Sequence, residues 1–137
     1  MNRNDLKALA RTRLQEAKSL FASGHHAGAY YLAGYVVECA LKACIAKETK
    51  RHEFPNKERA LQSWSHSLPG LVQLAGLQRS LTDEINADSQ FAVYWGVVKD
   101  WKPDARYISR GQKEADELVR AISDGRHGVF KWLRTHW

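Results

Sequence analysis

Apolar positions recur along this chain with the period of an α-helix, and no stretch alternates apolar and polar residues as a strand would. Leu6, Leu9, Ala10, Leu14, Ala17, Leu20 and Phe21 predict a first helix over Asp5–Ser23, with Asn4 as N-cap and Gly24 as terminator. A second helix is expected from His26 to Lys47. Only Gly24 and His25 separate the two, so they should pack as an antiparallel hairpin, with His25 and His26 serving the turn. Residues 48–65 read as a loop broken by Pro55. A short helix follows in HSLPGLVQLAGL, where Ser67 can cap and Pro69 suits the first turn. A fourth is expected over Asp83–Lys99, with Ile85, Ala92, Trp95 and Val98 toward the core and Leu81 at its start. Pro103 opens a connection, Lys113–Ser123 forms a fifth helix on Ala115, Leu118, Val119 and Ile122, and GVFKWLRTHW closes the bundle. The fold class is all-α, a bundle of four to six helices, in one domain over 1–137.

The second helix is unusual. AGAYYLAGYVVECALKACIA (27–46) is apolar almost all round, and its only charged residues are Glu38 and Lys42. Such a helix belongs in an interior. A membrane span is the rival, but two charges near its middle would each cost about 2.5–3.5 kcal/mol, and the apolar residues are Ala, Gly, Tyr and Val rather than Leu, Ile and Phe. A buried core helix is the expectation, with no membrane contact. Tyr31, Tyr35, Glu38 and Lys42 stand at i, i+4, i+7 and i+11, one narrow stripe. A carboxylate and an ammonium on a buried helix must be paired or face a polar cleft. The Glu-to-Lys i, i+4 order also suits a plain helix-stabilising pair, and the sequence leaves both readings open.

Composition adds direction. The net charge is +6, which favours a polyanionic partner, nucleic acid first, or else a generic basic surface. Basic residues concentrate in KETKRHEFPNKER (47–59) and near the end, in Arg126, His127, Lys131, Arg134 and His136. Cys39 and Cys44 lie about 7.5 Å apart along one helix, too far for a disulfide within it. They read as core thiols of a reducing cytoplasm. The first 21 residues contain no apolar block, so no secretory leader is expected. Trp64, Trp95, Trp101, Trp132 and Trp137 read as core or interface anchors, with base stacking open to any exposed one.

No phosphate-binding Gly-rich loop, paired-cysteine zinc pattern, HExxH or nucleophile elbow is present, so no metal or cofactor is assigned. Three segments do carry a family pattern, in order. LQEAKSLFASGHH leads into the aromatic-rich helix with Val37-Glu38-Cys39-Ala40-Leu41-Lys42, SHSLPGLVQLAGL follows, and DARYISRGQKEADELVRAI comes last. Together they resemble the HEPN domain, over about residues 5 to 123. The resemblance implies an up-and-down helical bundle, work on RNA or a nucleotide in toxin–antitoxin, defence or RNA-processing systems, a homodimer, and in many members a nucleotidyltransferase-type partner. It also implies a metal-independent ribonuclease, in which the RNA 2′-hydroxyl attacks the adjacent phosphate, an imidazole moves the proton and a guanidinium holds the phosphate.

Cleaving members carry Arg, a polar residue, three to five further residues and His. Two pairs here, Arg59…His66 and Arg120…His127, have six intervening residues, and Ala follows each Arg. The segment matching the family's Arg-Tyr element, Arg106-Tyr107, has no His soon after it. The candidate catalytic residues are His66 and Arg106, and the candidate binding residues are Glu38, Lys42, Arg106, Tyr107 and Arg110. Each has a plainer role to weigh: a helix cap for His66, a salt bridge to Glu38 for Arg106, a place in the core for Tyr107. A non-catalytic module that docks a protein partner is the alternative reading of the whole.

Overall fold

The structure is a computed structural model that describes residues 1–51, 61 and 65–137. Pro55, Arg59, Trp64 and most of the basic run at 47–59 lie outside the described residues. The described elements are α1 (Arg3–Ala22), α2 (His26–Arg51), α3 (Leu68–Leu74), α4 (Gln78–Ala87), α5 (Ser89–Val98), a 3-10 turn (Pro103–Tyr107), α6 (Gln112–Ser123) and α7 (Val129–Arg134), with no strand among them. The architecture is the expected helical bundle.

α1 begins earlier than the periodicity indicated. Asn2, not Asn4, is its N-cap: the Asn2 side chain accepts from Asp5 N at 2.9 Å, and Asp5 Oδ2 accepts from Asn2 N at 3.0 Å. This reciprocal capping box satisfies two N–H groups that a cap at Asn4 would leave open. At the other end Gly24 takes φ +83, His25 N–H reaches Leu20 O at 2.8 Å and Gly24 N–H reaches Phe21 O at 3.1 Å. That Schellman turn needs a left-handed residue, and it reverses the chain into α2 with α1 lying antiparallel along it. Gly76, at φ +73, ends α3 in the same way.

α2 is the central element. It packs against α1, α3, α6, α7 and the 3-10 turn, and Ala33, Val36, Val37, Ala40, Leu41 and Ala43 have no exposed surface. Being enclosed on nearly every side explains why it is apolar on nearly every side. The part 26–49 is long and apolar enough to cross a membrane, yet 67% of its most apolar window is buried inside the fold. The helix also runs to Arg51, so the start of the expected 48–65 loop is helical.

The helix expected over Asp83–Lys99 is two helices. α4 already starts at Gln78, and Asp88 breaks the run by turning its carboxylate onto Gln90 N at 3.0 Å and Phe91 N at 3.1 Å, capping α5. The Asp88 carboxyl is held below its usual range, first by His127 and then by these amides. Ser67 caps α3 as expected. Trp95, Trp101, Trp132 and Trp137 are all buried in the common core with Phe91, Leu118, Ile122 and Leu133. Ile85 packs against that core from a half-buried position. Tyr107, weighed as a core residue, is instead 77% exposed. Ala105 is the buried residue of the 3-10 turn that carries it, and the tyrosine projects beyond it.

Candidate functional site

The stripe on α2 forms as one connected row. Tyr31 and Tyr35 hydroxyls are 3.4 Å apart, with rings edge to face at 5.2 Å. One turn on, Glu38 is 4% exposed, a carboxylate inside the protein. Its Oε2 faces Lys42 Nζ at 3.4 Å, and its Oε1 lies 2.7 Å from His66 Nδ1. The two groups that meet Glu38 are themselves in reach of water: the Lys42 side chain is 22% exposed and that of His66 53%. The stripe therefore combines the two arrangements the sequence left open. Glu38 is an internal ion-pair partner, and the row borders a cleft.

That cleft, about 560 Å³, lies between α1 and α2. Leu6, Leu9 and Leu32 give it apolar walls, while Arg13, Glu16, Tyr31, Tyr35, Glu38 and Lys42 supply its polar groups. Arg13 and Glu16 are paired at 2.8 Å.

His66 reaches Glu38 from outside α2. It stands just before the Ser67 cap of α3, and buried Leu68, Leu71 and Val72 fix that helix in the core. The imidazole therefore meets a carboxylate 28 residues earlier. Glu38 Oε1 is an acceptor, so a neutral His66 carries its proton on Nδ1 and leaves Nε2 as the proton-accepting atom. A buried carboxylate that orients a half-exposed imidazole can serve general acid–base chemistry.

Arg106 and Tyr107 come to the other end of the row. Arg106 stacks over Tyr107 at 4.7 Å and comes close enough to Tyr31 to help hold that hydroxyl below its ordinary value. It does not join Glu38, so the salt bridge weighed for it is replaced by a tyrosine. Tyr31 and Glu38 are seven residues apart, about 10 Å along the helix axis. The row thus has a cation at one end and the Glu38–His66–Lys42 cluster at the other. Arg110 stacks over Tyr30 at 4.8 Å, and among the described residues its buried Nε has no hydrogen-bond partner.

The two tyrosines are electrostatically distinct. Burial pushes the Tyr35 hydroxyl up to about 12, helped by Tyr31 and Glu38. Tyr31 is held below the ordinary tyrosine value by the Tyr35 hydroxyl first and by Arg106 second. Tyr35 therefore holds its proton more tightly than Tyr31 does. The Arg106 guanidinium is raised in turn by Tyr107 and Tyr31.

Two residues that set this geometry carry no chemistry of their own. Trp101, 1% exposed, lies across α2, donates Nε1–H to Tyr30 O at 3.2 Å and meets the Tyr35 ring edge to face at 4.9 Å. It can do so because residue 34 is glycine: a Cβ there would fall within the Trp101 ring. The contact anchors the segment that leads from Trp101 to Arg106. Neither residue was singled out for this, and a lone Gly inside an otherwise unbroken helical pattern was the available signal.

Arg120 and His127 do not come together as a pair. Arg120 turns to Asp116 at 3.3 Å, whereas His127 Nδ1 bonds Asp88 at 2.7 Å. Among the described residues no group of three or more His, Cys, Asp or Glu is placed to hold a metal ion. Cys39 and Cys44 are free and buried, their thiols pushed up to about 11 by burial.

A sequence model of the family described as HEPN domain matches residues 4–124 of this chain. The match takes in Glu38, Lys42, His66, Arg106, Tyr107 and Arg110, and ends before His127. No curated protein and no solved structure matches the chain.

Proposed function

The chain belongs to the HEPN domain family, and on that premise we propose that it is an RNA-associated protein of the toxin–antitoxin or defence type whose Glu38–His66 dyad cleaves RNA without a metal or other cofactor. The observation that carries this reading is the 2.7 Å contact between buried Glu38 and His66. His66 Nε2 takes the proton of a 2′-hydroxyl. The 2′-oxygen then bonds to phosphorus, the P–O5′ bond breaks, and a proton from the imidazolium or from water completes the leaving hydroxyl. Glu38 positions the ring. Lys42, beside Glu38, is the nearest cation of the cluster for the scissile phosphate. Arg106, about 10 Å away along the helix, suits a neighbouring phosphate, with Arg110 beyond it and Tyr107 offering an exposed ring for a base.

The assay is cleavage of a mixed RNA pool in EDTA. Wild type should give 2′,3′-cyclic phosphate ends. His66→Ala should abolish cleavage, and Glu38→Gln should lower it by about 10²–10⁴-fold, the range of an acid–base contribution. Equal cleavage by wild type and His66→Ala would remove the dyad from the chemistry.

A second reading has its own observation. Tyr107 and Ile108 are exposed, 77% and 43%, beside Arg106. A non-catalytic module that docks a nucleotidyltransferase-type partner, or a second copy in a homodimer, would cover this surface, and RNA would then be bound without being cut. In either reading the proposal is of one cytoplasmic domain over 1–137.

A further inference from the structure

α1 carries Arg3, Lys7 and Arg11 at i, i+4 and i+8, one cation per turn on one side of the helix. None of them lines the cleft, which draws on Leu6, Leu9, Arg13 and Glu16 instead. Their common support is Trp137, itself only 9% exposed. Lys7 Nζ lies 5.4 Å and the Arg11 guanidinium 4.8 Å from the centre of that ring, and Arg3 donates to Trp137 O at 2.7 Å. Trp137 meets Phe130 edge to face at 5.4 Å, and Phe130 carries Arg134 at 5.1 Å. Lys47 comes in from α2 and donates to His136 O at 3.2 Å.

These contacts hold the cations on ring faces and main-chain oxygens. After its own burial, the charges that most affect Lys7 are Arg3, Arg11 and Lys47, all positive, and together they hold its ammonium below the usual lysine range. A row of like charges fixed on a rigid aromatic base repels itself, and a polyanion relieves that repulsion. The row also has the shape of a strand contact, since cations one helical turn apart are spaced by about 6 Å along the axis. Among the described residues, the large apolar side chains of this face, Phe130 and Trp137, are buried beneath the cations.

We propose that the α1–α7 face formed by Arg3, Lys7, Arg11, Lys47 and Arg134 is a sequence-independent binding surface for the phosphodiester backbone of RNA, separate from the Glu38–His66 site. The proposal rests on the RNA reading above and adds to it the surface that holds the strand.

The test is equilibrium binding of a single-stranded 2′-O-methyl RNA, which cannot be cleaved, measured between 50 and 200 mM salt. The proteins are wild type, Lys7→Gln/Arg11→Gln and Lys42→Ala. The double variant should bind more weakly, with a log–log salt slope shallower by about 1.4, or about 0.7 per phosphate contact. Arg11→Lys should keep the wild-type slope. If circular dichroism shows the double variant unfolded, Arg11→Gln and Arg134→Gln, both at exposed positions, carry the test, each with a slope shallower by about 0.7. An unchanged slope in these variants, with binding lost in Lys42→Ala, overturns the proposal and leaves the RNA reading standing. An unchanged slope with every variant bound like wild type also overturns it. Failure of wild type to bind the RNA overturns both.

Discussion

Tyr31 and Tyr35 share one hydrogen bond but respond to alkali in opposite ways. The hydroxyl of Tyr35 is raised to about 12, so between about pH 10 and 12 the folded chain keeps a proton that the unfolded chain has lost. The neutral Tyr35 therefore contributes stability below pH 10 that is lost as pH rises through that window. Tyr31 is lowered, so it ionises first, and its contribution has the reverse sign, growing as pH rises toward 10. Absorbance titration at alkaline pH should show a late tyrosine that disappears in Tyr35→Phe, and the loss of melting temperature above pH 10 should be smaller in that variant. An unchanged alkaline profile in Tyr35→Phe contradicts the assignment. At this scale the stripe was legible, because two charges on an otherwise apolar helix have few places to go. The contact that adds His66 to Glu38 and Lys42 was not. His66 reaches Glu38 across 28 residues, and nothing in local spacing encodes a contact made by packing a separate helix. Tyr107 was misjudged for a related reason. An aromatic residue after Pro103 reads as core, but the five-residue 3-10 turn is too short to bring both ends of itself inside.

At the scale of elements, the row depends on how closely Trp101 approaches α2. Gly34→Ala would place a methyl group where the Trp101 ring lies. Overpacking of this kind costs about 1–3 kcal/mol, measurable by urea unfolding, and it should also loosen Arg106 because the anchor of its segment shifts. Gly96, in α5, faces open space, so Gly96→Ala is the control and should stabilise by about 0.5–1 kcal/mol. Equal effects of the two substitutions would show that helix propensity, not the Trp101 contact, governs residue 34. The α1–α2 hairpin was legible because apolar period and a terminating glycine agree. The break at Asp88 was not, since Asp followed by Ser, Gln and Phe suits a helix interior almost as well as a cap. What decided it was the contact of Asp88 with His127, made from a distant part of the chain.

Over the whole molecule, the net charge of +6 is organised rather than diffuse. One group of cations rests on Trp137 and Phe130 along α1 and α7. A second is spread along the α2 row, with Arg106 at one end and Lys42 at the other, around the buried Glu38 carboxylate. α2 carries Lys42 of the second group and contributes Lys47 to the first. The basic run at 47–59 attracted notice in the sequence. The α1 row did not, because its cations alternate with the apolar positions that build the helix. The central claim is that His66, oriented by Glu38, moves the proton in RNA cleavage. The most direct measurement is chemical rescue: RNA cleavage by His66→Gly in EDTA, with and without added imidazole. The variant alone should show negligible cleavage, with recovery that rises with imidazole concentration. Cleavage by His66→Gly at the wild-type rate, or no cleavage by wild type itself, would contradict that claim.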